Sequence, residues 1–180
     1  MEEIIGDKSL FAIEWRFSDS LTQDFDNAEL HYYKYAALRF WIQGKPFGNF
    51  DTITSLYCSK NYAHDFLLWN EKRVVSFELY NKSPLKLIET LYLSIFNGFP
   101  TEVEGKSHGQ ISKYFHLDSI GESSLIDYFG LITLISLDKK YEKIISYEYD
   151  TLNINSVEVE YGYVTNLINS YIDSINKYPY

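Results

Sequence analysis

The chain has 180 residues, a length for one domain, and its 46% hydrophobic and 23% charged residues are the proportions of a globular protein with a sizeable core. Sixteen Lys and Arg against 25 Asp and Glu leave a net charge of −9, which repels phosphate backbones, argues against direct nucleic-acid binding and draws in a basic protein partner. Cys58 is the only cysteine, Met1-Glu2-Glu3 is acidic where a signal peptide is basic, and no apolar run nears the roughly 18 residues of a membrane span, so a soluble, cytoplasmic chain is expected.

From the N-terminus, residues 10–17 alternate: Leu10, Ala12 and Glu14 face one way, and Phe11, Ile13, Trp15 and Phe17 the other, the period of a half-buried strand. The polar stretch from Ser18 to Asn27 reads as a loop, and the aromatic, β-rich stretch from Tyr32 to Ile42 as a long strand. Gln43-Gly44-Lys45-Pro46 is a turn signal, with Phe47 to Asp51 returning as a hairpin partner. Asp51, Thr52 or Thr54 can cap a helix whose apolar face is Ile53, Leu56, Tyr57, Ala63 and Leu67.

Residues 74–79 read as a strand. Ser83-Pro84 opens a helix with Leu85, Ile88, Leu91, Tyr92, Ile95 and Phe96 on one face, stopped by Gly98 and Pro100. The polar stretch 101–109 is expected to be exposed, and 111–117 to be a strand. Strands are predicted over 130–137 and 141–149, joined at Asp138-Lys139-Lys140, and over 157–161. Residues 163–177 carry the stripe Val164, Leu167, Ile168, Tyr171, Ile172 and Ile175 of a final helix, before Pro179. Strands and helices are grouped, with no internal repeat or linker. The expectation is a single domain over 1–180, of α+β class, with a mostly antiparallel sheet and about three helices packed on it.

Motifs for chemistry are incomplete. His31, His64, His108 and His116 have no metal-site spacing, and Cys58 has no neighbouring Cys or His, so no metal or cofactor is expected. Gly105-Lys106-Ser107 resembles the end of a phosphate-binding loop, but Pro100 stands where the first glycine belongs. Gly121-Glu122-Ser123-Ser124-Leu125 has Leu125 in place of the second glycine of a nucleophile elbow. Asp24/Asp26, Glu102/Glu104 and Glu158/Glu160 are spaced by two, so each pair shares one face of a strand. Such pairs can do acid–base work or simply form a wet sheet face, and alternation with Val157, Val159 and Tyr161 favours the wet face for the last pair. No catalytic residue is assigned.

The aromatic content, 18% with 17 Tyr, gives the acidic C-terminal strands a second reading. Glu142, Glu148, Asp150, Glu158 and Glu160, interleaved with Tyr147, Tyr149, Tyr161 and Tyr163, would form an acidic, tyrosine-rich face if the strands are neighbours. That composition suits a grip on a basic protein; a solvated sheet face is the plainer alternative. An aromatic-lined small-molecule pocket near Trp15 and Trp41 is a different class of function.

One resemblance is carried by Ile5-Gly6-Asp7-Lys8, Phe11-Ala12-Ile13-Glu14, Phe40-Trp41-Ile42-Gln43-Gly44, Phe47-Gly48-Asn49-Phe50-Asp51 and Thr54-Ser55-Leu56, in that order. This pattern resembles the bacterial polymorphic-toxin immunity proteins of family forty-two, with clear residue matches over the first third of the chain. The resemblance implies a non-catalytic antitoxin that binds the effector domain of a cognate toxin delivered by neighbouring cells. It carries over no catalytic residues. Trp41, Gly44 and Gly48 match the pattern, and their residue-level reading is structural: an aromatic anchor and two turn glycines. The net acidity suggests a basic toxin, such as a nuclease, whose phosphate contacts acidic groups would mask.

Overall fold

The computed structural model describes residues 2–17, 34–48, 53–93, 102–121, 129–148, 151 and 153–178. The loop expected from Ser18, the caps at Asp51 and Thr52, the stop at Gly98 and Pro100, the elbow-like segment after Gly121, and Tyr149, Asp150 and Pro179 lie outside these residues. The fold is α+β, with two antiparallel sheets where one was expected.

The first sheet contains β1 (Glu2–Asp7), β2 (Phe11–Phe17), β3 (Tyr35–Ile42), β4 (Lys45–Phe47) and β5 (Ile53–Ser55). Its order is β1-β2-β3, with β4 and β5 paired to the two halves of the far edge of β3. The β1–β2 turn closes where Leu10 N–H donates to Asp7 O (3.0 Å) and the Asp7 carboxylate accepts from Ser9 N–H and Oγ–H. The β3–β4 turn is the two-residue Gln43-Gly44, both at positive φ (51° and 77°), whose twist matches that of a hairpin. Pro46 is therefore not part of the turn; it sits in β4 opposite Trp41, on an edge strand where its missing N–H is tolerated. The two turns are bonded side by side, Gln43 N–H to Leu10 O (3.0 Å) and Gly44 N–H to Lys8 O (2.7 Å).

Helix α1 (Leu56–Leu68) is capped by Ser55, whose Oγ accepts from Cys58 N–H. Thr54, one of the expected caps, is a buried residue of β5. The buried stripe of α1 is Leu56, Ser59, Ala63 and Phe66, and Tyr57 is exposed. Residues 74–79 are not a strand. Val74 makes a single parallel bridge to Ile135, after which Ser76 Oγ caps the short helix α2 (Phe77–Tyr80). Helix α3 (Pro84–Ile88) opens at Ser83-Pro84 as expected and widens into a π-helical turn, Glu89–Leu93.

Residues 111–117 are also not a strand. They belong mostly to α4 (His108–Phe115), nucleated where the Gln110 side chain accepts from Ser107 N–H (2.8 Å). This Ser-x-x-Gln start places Ile111, Tyr114 and Phe115 on one buried face. The second sheet is β6 (Phe129–Ile135), β7 (Tyr141–Glu148) and β8 (Asn153–Glu160), in that order. Helix α5 (Tyr163–Asn176) ends the described chain, giving five α-helices among the described residues where about three were expected.

Two cores follow from this arrangement. One gathers the inner face of the first sheet (Phe11, Ile13, Trp15, Leu38, Phe40), the stripes of α1 and α5, and Leu131, Ile144, Val157 and Val159 from the second sheet. The other gathers the opposite face of the second sheet, Ile132, Leu134, Ile145 and Tyr147, with Leu79, Leu87, Ile111 and Phe115 from α2, α3 and α4. The second sheet is thus buried on both faces, which is why β6 reads as an apolar run rather than an alternation. Helix α5 is stitched to the first sheet by polar bonds: Trp15 Nε1–H to Ser174 Oγ (3.0 Å), and Tyr163 Oη, which accepts from Asp7 N–H and donates to Phe11 O.

Gly6 has φ +94°, and a Cβ there would lie 2.6 Å from Leu167 Cδ1 and 2.7 Å from the Phe11 carbonyl oxygen; a Cβ on Gly44 would meet nothing within 4 Å. Gly44→Ala is therefore expected to cost roughly 1–2 kcal/mol, the backbone penalty alone. Gly6→Ala should cost about 3 kcal/mol or more, because backbone must also move. Urea unfolding of the two variants tests the ranking, and equal losses would refute it.

Candidate functional site

Of the residues that carry the family resemblance, Phe11, Ile13, Phe40 and Ile42 enter the first core, whereas Lys8, Glu14 and Trp41, far apart in sequence, meet on the outer face of the first sheet. Antiparallel register places Ile4, Glu14 and Arg39 in one row across β1, β2 and β3, and Gly6, Ala12, Trp41 and Pro46 in the next. Glu14 points outward, as its alternation predicts, yet is only 1% exposed. Its carboxylate accepts from Lys8 Nζ (3.1 Å), Arg39 Nε (2.6 Å) and Trp41 Nε1 (2.5 Å). Lys8 Nζ also lies 4.0 Å from the centre of the Trp41 ring, a cation–π contact, and Arg39 packs on the same ring. Burial pushes the Glu14 pKa up, but the bonds from Arg39, Trp41 and Lys8 outweigh this and hold it down at about 2.

Trp41 is an anchor, though on this outer cluster rather than in the core. Gly44 supplies one positive φ of the hairpin turn, and Gly48 has φ +99° just beyond β4. Trp15 is buried on the opposite, inner face of the same sheet, so Trp15 and Trp41 share no pocket.

The acidic C-terminal strands are arranged differently from the expected surface. Glu142 is in the interior, 0% exposed, 3.9 Å from the equally buried Arg73. Glu142 Oε1 accepts from Gly162 N–H (2.7 Å) at the start of α5. Arg73 donates to Thr133 Oγ1 (2.8 Å) and to Asn70, and stacks 4.2 Å from the Phe66 ring centre. Burial lowers the Arg73 pKa to about 10, against the pull of Glu142, and burial raises that of Glu142, against the pull of Arg73 and the Gly162 N–H. Tyr147 is buried in the second core.

Glu158 and Glu160 are exposed, but Glu158 accepts from Tyr80 Oη–H (3.0 Å). Tyr161 donates to Glu71, which is also paired with Lys139 at 2.5 Å, and Glu148 accepts from Thr151. Much of this acidity is thus engaged by the chain itself. The overall charge is also uneven: all 16 Lys and Arg lie among the described residues, whereas eight of the 25 acids lie in 18–33, 49–52, 122–128 and 149–150. The described residues are close to neutral.

A cavity of about 360 Å³ between α1 and α4 is lined by residues including Phe66, Lys113 and His116. His116 Nε2 is bonded to Leu91 O (3.1 Å), and Asp118, 3.8 Å from its other ring nitrogen, accepts from Leu131 N–H (3.4 Å). These groups tie the turn before β6 to its surroundings. Among the described residues no three His, Cys, Asp or Glu side chains are grouped to hold a metal ion, and no helix is long and apolar enough to cross a membrane.

Sequence reasoning gave no role to Lys8, Arg39 or Arg73. The outward alternation of Glu14 and the presence of Lys8, Glu14 and Trp41 in the resemblance stretches were the visible signals for the first cluster; Arg73 follows a polar stretch and gives no sign of burial.

Comparison with known families places this chain among the immunity proteins. The chain belongs to the family described as immunity protein 42 (Imm42), whose model matches residues 3–174, nearly the whole chain. No curated protein and no solved structure matches it. The family fits a protein-binding antitoxin role.

Two measurements probe these clusters. The Glu14 pKa is depressed from 4.5, so its stabilisation is fully present above about pH 4.5 and is lost as pH falls towards 2. The stability gap between the wild type and Glu14→Gln should therefore be widest at neutral pH and shrink across that window in denaturant titrations; a gap independent of pH would count against the cluster. Glu142→Ala leaves Arg73 buried without its counter-charge and is expected to cost about 3–5 kcal/mol, most of it recovered in the Arg73→Met, Glu142→Leu double variant. A double variant no more stable than the single one would refute the pairing.

Proposed function

We propose that this protein is an immunity protein that neutralises a cognate bacterial toxin by direct, non-catalytic contact with its effector domain, in the cytoplasm of the cell it protects. The observation that carries this reading is the family match over residues 3–174. Rigid support for a recognition surface accords with it: the second sheet is packed on both faces, and α5 is bonded into the first. The net charge of −9 favours rapid encounter with a basic toxin, a nuclease among them. That is a long-range effect and assigns no contact residue.

Co-expression with the toxin encoded beside this gene tests the reading. Growth should be restored, and the two proteins should co-purify as a stable complex. Toxin released from the complex by denaturation and refolding should regain full activity, because nothing has been done to it covalently. Failure of both rescue and co-purification would remove the antitoxin reading; toxin recovered permanently altered would remove the non-catalytic part.

A further inference from the structure

We draw no further inference here: the strongest candidate, the cavity between α1 and α4 with Asp65 on one wall and Lys113 on the other, carries nothing, because the buried His116 beside them is already bonded to Leu91 O and nothing in the structure shows what would occupy it.

Discussion

Arg73 carries its charge into the seam where four pieces of the chain meet. It follows α1, reaches Thr133 on β6, faces Glu142 on β7 and lies over the Phe66 ring, while Glu142 in turn holds the first N–H of the turn into α5. Asn70, beside Arg73, accepts from Thr165 of α5. No apolar side chain could bond all these groups at once. Burying a cation there carries a desolvation cost, and what it secures is the relative placement of the second sheet and the helices on either side of it.

The second sheet is clamped between two cores, and the first sheet gives one face to the first core. On its other face Glu14 is held by Lys8 and by Arg39 and Trp41 of the same sheet. Two of the buried carboxylates among the described residues thus have different roles: Glu142 orients elements of the fold, and Glu14 orients side chains at its boundary.

Much of the fold was legible in the sequence because its signals are local. The alternation of residues 11–17, the Gln43-Gly44 turn, the Ser83-Pro84 helix start and the stripe of α5 each follow from the geometry of a few neighbouring residues. The misreadings share a cause. Residues 74–79 and 111–117 are short and apolar enough to read as strands, and only the caps, Ser76 and the Ser107–Gln110 pair, mark them as helix starts. The acidic face was misplaced at Glu142 because alternation tells which side chains share a side, not whether another layer covers that side. For the same reason Glu14 could be placed outward but not recognised as buried: its roof comes from Lys8, Arg39 and Trp41, brought over it by pairings the sequence does not announce.

The stitching of α5 to the first hairpin also sets a timetable for synthesis. Trp15 and its partner Ser174 are 159 positions apart. At roughly 5–20 residues added per second, the ribosome needs on the order of ten seconds or more to deliver α5 after β2 has been made. Through that interval the inner face of the first sheet, with Phe11, Ile13 and Trp15, waits without its covering helix. The hairpin of β1 and β2 is made long before the helix that covers it, so a nascent chain cannot complete this core until α5 has left the ribosome.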